Sequence, residues 1–293
     1  MKKSKRYRVL IFRVAPKDLE IALGILYAHG ITTTEQKRNR NGLWLTARIP
    51  YEENHRELMK KLLLFKTGDV TRKIFSFMKC QTILEGKWAT EFKKHLTPFA
   101  ILTLENHPET AVLTVDPRGA PKKRREDTLY IEPGLAFGTG THPTTRLTAE
   151  FIAERLREMK KAAVADLGCG TGLLAMVAKK LGASQVWGID NDPIALEVAE
   201  KNFKVNGMKN MSLEESLRFT KRKFDLIAAN ILLKTLIQLK PEITAHLKKD
   251  GFLITSGLLY EDCPSLLEAY PEFTLVERRN RKGWSALLLK RKK

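Results

Sequence analysis

The segment VADLGCGTGLLA places Gly168, Gly170 and Gly172 where an apolar stretch passes into a helical one. Glycines there let the backbone approach a ligand closely, and a helix N-terminus offers free N–H groups. Asp166 stands two residues before the first glycine. Asp190 ends the next apolar stretch, SQVWGID, 22 residues after Gly168. A carboxylate at that place can accept hydrogen bonds from a ribose diol. Asn230 ends a third such stretch, FDLIAAN, and its side-chain carbonyl can hold an amine. Each residue also has a plainer reading: a tight turn for the glycines, satisfaction of loop N–H groups for Asp166, a helix cap for Asp190 and a turn for Asn230. Position 173 is Leu, so the pattern is G-x-G-x-G and lacks the third glycine of a dinucleotide loop. A nicotinamide oxidoreductase is therefore disfavoured.

A second stretch is unusual. EPGLAFGTGTHPTT, residues 132–145, carries three glycines, two prolines, four threonines, one histidine and one acid. That is too much backbone freedom for a packed helix or strand, and it reads as a loop. Cys169, between two glycines, reads as a small packing residue, since no candidate base adjoins it. Cys80, Cys169 and Cys263 are odd in number and lack metal-ligand spacing, which fits a reducing cytoplasm and no metal.

The elements that must position these residues fall into two parts. Residues 1–78 read β-α-β-β-α-β, with a hairpin at Asn41-Gly42 and a helix stopping at Gly30; this is the order of a small ferredoxin-like α+β domain. The expected boundaries are 1–80 for that domain, 81–97 for a connector with a short helix around Trp88, and 98–293 for the remainder. The remainder opens with short strands and the charged run Lys122-Lys123-Arg124-Arg125, read as a solvated loop. From Arg146 onward, strands and helices alternate over long spacings, predicting an α/β unit with a parallel sheet covered on both faces and a terminal hairpin at Lys282-Gly283.

Composition limits the function classes. The 293 residues are 43% hydrophobic, enough for a sizeable core, and no apolar run approaches the ~20 residues of a membrane helix. MKKSKRYRVLIFRV reads as a first strand with a basic lead, not as a targeting segment. The net charge of +19 is uneven. Residues 1–131 hold 26 Lys and Arg against 14 Asp and Glu, residues 132–270 hold 18 against 17, and residues 271–293 hold 8 against 2. Such a distribution suits an acidic or RNA-containing partner.

The acid-x-G-x-G-x-G pattern resembles the first motif of the Rossmann-like S-adenosyl-L-methionine methyltransferases. Asp166, or groups it orients, would face the positive end of that cofactor. The series EPGLAFGTGTHPTT, DLGCGTG, GIDNDP, AANILL and ITSGLL resembles, in motif order over residues 128–293, the ribosomal protein L-eleven methyltransferases, the PrmA family. The resemblance implies a seven-stranded methyltransferase domain behind a ferredoxin-like substrate-recognition domain. It implies transfer of methyl groups from S-adenosyl-L-methionine to lysine and N-terminal amines of ribosomal protein L-eleven. A cytoplasmic monomer is expected, since no long apolar seam appears outside the core pattern, with no stable nucleic-acid complex and no membrane partner. By motif, Thr145, Gly168, Asp190 and Asn230 match the family's cofactor-binding positions. Asp166 and Gly170 belong to the same loop, and Phe137 to a loop that covers the cofactor. Two places depart from the family pattern: Glu132 stands where Asp is usual, and VDPRGAP where many members have Pro-Ser-Trp. The rival readings are a methyltransferase of another protein lysine or of RNA and, from a different class, a non-catalytic ribosome-binding module.

Overall fold

A computed structural model describes residues 6–28, 31, 34–39, 42–51, 55–63, 66–67, 70–71, 74–84, 97–104, 107–132 and 140–292. The chain divides into two compact units, Met1–His95 and Leu96–Lys293.

The first unit runs β1 (Arg6–Val14), α1 (Leu19–Ala28), β2 (Thr34–Asn39), β3 (Gly42–Pro50), α2 (His55–Leu63), the short pair β4 (Lys66–Thr67) and β5 (Val70–Thr71), and β6 (Phe75–Leu84). Its main sheet has the order β2-β3-β1-β6 with antiparallel neighbours. Alternation explains its core: Leu10, Phe12 and Val14 of β1 and Leu43, Leu45, Ala47 and Ile49 of β3 are buried beneath α1 and α2. Gly42 opens β3 opposite Asn39, so β2 and β3 pair as the arms of the predicted hairpin, while Asn41 lies outside the described residues. Strand β6 extends through Gln81-Thr82-Ile83-Leu84, residues expected in the connector. The long β1 supplies ladder partners as far as Arg6↔Leu84, and that pairing has no local signal. Gly30 and Trp88 lie outside the described residues.

The second unit opens with a small sheet, β7-β8-β9, of Phe99–Leu104, His107–Asp116 and Thr128–Tyr130. The run Lys122–Arg125 between β8 and β9 is exposed, as expected of a solvated loop. There follow α3 (Pro143–Glu158), β10 (Ala163–Leu167), α4 (Leu173–Lys180), β11 (Gln185–Ile189), α5 (Pro193–Val205), β12 (Met211–Glu214), β13 (Phe224–Asn230), α6 (Leu233–His246), β14 (Leu247–Leu259), α7 (Cys263–Ala269), β15 (Phe273–Arg281) and β16 (Trp284–Arg291). The sheet order is β12-β11-β10-β13-β14-β16-β15. The first five strands are parallel, and β16 runs antiparallel to both neighbours.

Successive residues point to opposite faces, and both faces are covered. Val164, Leu226, Ala228 and Ile254 join the core that includes α3 and α4, while Ala165, Ile227, Ala229 and Leu253 join the core that includes α6 and α7. This double burial is why the strands read as continuous apolar runs. Lys282 and Gly283 both have positive φ, 52° and 82°, the requirement of a tight type I′ hairpin turn. The hairpin inserts β16 beside β14 and leaves β15 at the edge.

Helix α3 corrects one expectation. It begins at Pro143, not Arg146, with His142 as its N-cap accepting from the Thr144 N–H. Proline suits the first helical position because its missing N–H would have no intrahelical partner. Thr144 and Thr145 therefore lie on a buried first turn, not in a loop.

Candidate functional site

The chain passes from β10 outward to β11 and β12, then returns to the other side of β10 as β13. The strand order reverses there, and open α/β sheets hold ligands at the carboxyl ends of strands flanking such a reversal. Gly168 and Asn230 follow or end those two strands.

The glycine turn is fastened to the end of β11. The N–H groups of Gly168 and Cys169 donate to the Ile189 carbonyl at 2.8 and 3.0 Å, and the Gly170 N–H donates to Asp190 Oδ2 at 2.8 Å. Gly168, Gly170 and Gly172 have φ of 74°, 53° and 76°, the left-handed region where glycine carries no Cβ penalty. A Cβ on Gly168 would lie 2.3 Å from Ile231 Cγ2. The turn therefore needs glycine both for its dihedral and for contact with the residue after Asn230.

Asp190 is half-buried. Its Oδ1 accepts from the Asp192 N–H at 3.0 Å while Oδ2 holds Gly170. The helix-cap role belongs instead to Asp192, which accepts from the Ile194 N–H at the start of α5. Asp166 is 2% exposed, and its Oδ2 accepts from the Ala175 N–H at 2.9 Å. Burial pushes its carboxyl up to about 7; the Ala175 hydrogen bond opposes this and the nearby Asp190 charge adds to it. Burial likewise raises Asp190. Among the described residues neither carboxylate has an ion-pair partner. Two desolvated acids beside a glycine turn fit a ligand that brings a cation and a diol.

Asn230 is buried at the end of β13, with its Nδ2 3.4 Å from Thr145 Oγ1. Thr145, Gly168, Gly170, Asp166, Asp190 and Asn230 thus gather at one end of the sheet. Phe137 lies outside the described residues. Cys169 is buried, and burial holds its thiol well above the ordinary range, which leaves it a packing group. His142 meets the Trp284 ring edge-on, with centroids 4.8 Å apart, so its place in the loop is one of packing and capping.

Sequence reasoning missed Asn202 and Asn206. Asn202, fully buried on α5, donates to the Thr171 carbonyl at 2.9 Å and accepts from the Glu132 N–H at 2.9 Å. Asn206 does the same for both backbone groups of Tyr130, at 2.8 and 2.7 Å. One face of α5 thereby ties the glycine turn to the start of the 132–145 loop. The far end of that loop is packed too, because a Cβ on Gly140 would meet Leu173 Cδ2 at 2.5 Å. The available signal was an i, i+4 pair of amides in KNFKVNG, flanking Phe203. Asn202→Ala should cost about 2–5 kcal/mol, because it strands a buried carbonyl and a buried N–H; thermal melts against wild type measure it.

The likenesses of the chain agree with this geometry. A family description, "Ribosomal protein L11 methyltransferase (PrmA)", matches residues 24–292. A protein of Caldanaerobacter subterraneus subsp. tengcongensis named ribosomal protein L11 methyltransferase is 34% identical over 211 residues, 71% of this chain and 66% of that protein. One of the same name from Thermosipho africanus is 41% identical over 167 residues, 56% of this chain and 62% of that protein. This chain thus spans just under two thirds of the length of these curated relatives. The crystal structure of a ribosomal protein L11 methylase from Lactobacillus delbrueckii subsp. bulgaricus superimposes with a TM-score of 0.55 at 34% identity, covering 62% of this chain and 96% of that one. The fold is α/β and methyltransferase-like with a mixed central sheet. With the glycine turn, the strand-end acid and the strand-end asparagine joined at the reversal of strand order, and the family's pattern running through 269 of the 293 residues, the chain belongs to the ribosomal protein L11 methyltransferase family.

Proposed function

We propose that the protein transfers methyl groups from S-adenosyl-L-methionine to lysine and N-terminal amines of ribosomal protein L-eleven. The observation that carries this reading is the meeting of the glycine turn, the buried Asp166, the half-buried Asp190 and the Asn230–Thr145 pair at the switch point of the sheet, with neither carboxylate in an ion pair among the described residues. On the same reading, residues 98–293 are the seven-stranded methyltransferase domain. Residues 1–80 are a ferredoxin-like substrate-recognition domain, 81–97 a connector, and the protein acts as a monomer.

The residues fit the cofactor. Asp190 retains lone pairs beyond its two backbone bonds, enough to accept from a ribose diol. Asp166 and the turn that it braces would face the ammonium of the methionine end. Thr145 and Asn230 would border the remaining polar part, and Phe137, outside the described residues, is matched by motif to a residue that would cover it. When bound, the cofactor supplies an electrophilic methyl group whose leaving group is a neutral thioether.

The chain's own task is to prepare the acceptor. A lysine ammonium titrates near 10.4, so exposing its lone pair at neutral pH costs about 5 kcal/mol. A desolvated site lowers that cost by disfavouring the charged form. The Asn230 side-chain carbonyl would orient the neutral amine, a positioning role.

The test uses labelled S-adenosyl-L-methionine with free ribosomal protein L-eleven and, separately, total RNA. Label on the protein is the expected result, and label on RNA alone would sink the proposal. Asp190→Ala should weaken cofactor affinity by about 10- to 150-fold, the loss of charge-assisted hydrogen bonds, with only a few degrees lost in the melt. Asn230→Ala should lower turnover and weaken cofactor affinity, and wild-type values of both would remove its role. Wild-type affinity in Asp190→Ala, measured by calorimetry, would remove the ribose assignment.

A further inference from the structure

The edge of the large sheet opposite the glycine turn carries charge that methyl transfer does not use. There the chain enters β10, β13 and β14 and turns from α4 toward β11. Lys160, Lys161, Lys180, Lys221, Lys223 and Lys249 are exposed on those entries. Among the described residues none of these six ammonium groups has a hydrogen bond or ion pair.

The acids nearby are already engaged. Asp225 accepts from Lys248 at 2.8 Å and from the Ala163 N–H, and Asp250 lies 3.8 Å from Lys290. Glu272 holds Lys240 at 3.0 Å, and Glu158 holds Arg155 at 2.8 Å. Six like charges left unpaired along neighbouring strands repel one another and sustain a positive potential. From the turn before β11 to β14 the rim is about 15 Å wide, the length of about four stacked nucleotides.

One aromatic completes the arrangement. Phe219 is 67% exposed and sits just before Lys221. The Thr220 carbonyl lies 3.1 Å from His246 Nε2, which brings this stretch against the end of α6, beside the entry of β14. The Arg222 guanidinium carbon lies over the Trp187 ring, 5.6 Å from its centroid.

We infer that this rim binds single-stranded RNA, with the lysines on backbone phosphates and Phe219 under a base. Lysines on flexible stems suit phosphates, which position a strand without reading its sequence. An exposed ring among cations is a stacking platform for an unpaired base. A protein partner would want an apolar centre with few lysines, and the rim offers one ring. The choice of RNA over DNA rests on the proposed function, because an enzyme of a ribosomal protein works beside RNA; the positive rim does not rest on it. The sequence reading expected no stable nucleic-acid complex; a rim built on phosphate contacts predicts a weak, salt-sensitive one.

The test is fluorescence anisotropy with a labelled 20-nucleotide oligouridylate at increasing salt, using the full chain. Wild type should bind, with log affinity falling linearly in log salt. Lys221→Glu/Lys223→Glu/Lys249→Glu should lose at least about tenfold in affinity at low salt and flatten the slope by about 2, since each single-strand phosphate contact contributes about 0.7. Phe219→Ala should lose about 5- to 150-fold with the slope unchanged. Lys122→Glu/Lys123→Glu, on the other basic run, should bind as wild type. Unchanged binding in the triple variant, or equal loss in that control, overturns the inference, as does capture by phosphatidylserine vesicles without RNA binding. Equal affinity for oligothymidylate overturns the choice of RNA. Methyl transfer to free ribosomal protein L-eleven should persist in the triple variant. If wild type shows no transfer, the proposed function fails while the RNA result stands by itself.

Discussion

Gly168→Ala should lose cofactor binding and melt about 4–20 °C below wild type. Two costs add. A φ of 74° puts an alanine in the left-handed region, about 1–2 kcal/mol above its preferred backbone. The new Cβ would also lie 2.3 Å from Ile231 Cγ2, a methyl on a stiff β-branched side chain. Overpacking of that kind costs about 1–3 kcal/mol, and for a unit of this size each kcal/mol moves the melt by about 2–4 °C. Relief requires either the glycine turn or the residue after Asn230 to move, and both border the proposed cofactor site. Gly182→Ala separates the two costs, because its φ is 98° and nothing lies within 4 Å of the added Cβ. Calorimetry with S-adenosylhomocysteine and a thermal melt of each variant decide the matter. If Gly168→Ala melts with Gly182→Ala and still binds, the contact with Ile231 does not hold the turn.

Asp166→Asn is expected to stabilise the fold above neutral pH and weaken the cofactor. Burial raises the Asp166 carboxyl from an ordinary 3.8 to about 7. Between those values the unfolded chain gives up a proton that the folded chain retains, so stability falls as pH rises, by about 4 kcal/mol in all. Asparagine keeps an acceptor for the Ala175 N–H and never ionises. His142 acts in the opposite sense. Burial, with a smaller push from Lys282, lowers it from 6.5 to about 4, so stability falls as pH drops through that window. In wild type the two slopes oppose each other from about pH 4 to 6.5. The variant should lose the Asp166 slope and keep that of His142, opposed by the raised Asp190, and should melt well above wild type at pH 8. A cation at the methionine end of the cofactor would favour ionised Asp166, so affinity should fall in the same variant. A pH 8 melt no higher than wild type would mean that Asp166 is not held proton-hungry by its surroundings.

Much of this architecture is written in local pattern. Val164 to Leu167, Phe224 to Asn230 and their helices announce themselves by apolar runs and alternation, because a parallel strand buried on both faces has no choice of side chain. Gly168, Asp190 and Asn230 could be picked out because a strand end followed by glycine or a lone polar residue is a local event. The hairpin at Lys282-Gly283 was legible for the same reason: its dihedrals are a property of two residues.

The tertiary structure decided what depends on partners far along the chain. The extension of β6 to Leu84 exists because β1 reaches Arg6, and nothing in Gln81-Thr82-Ile83-Leu84 foretells it. Asn202 is an ordinary helix residue until the fold brings Thr171 and Glu132 to its two sides. The spare charge at the entries of β10, β13 and β14 is scattered over ninety residues of sequence, from Lys160 to Lys249. It becomes one surface because parallel strands begin at the same edge, and chain order says only that each begins somewhere. Spacing along the chain determines which residues can end a strand; which ends then face one another, and with what charge left unpaired, is settled by the sheet.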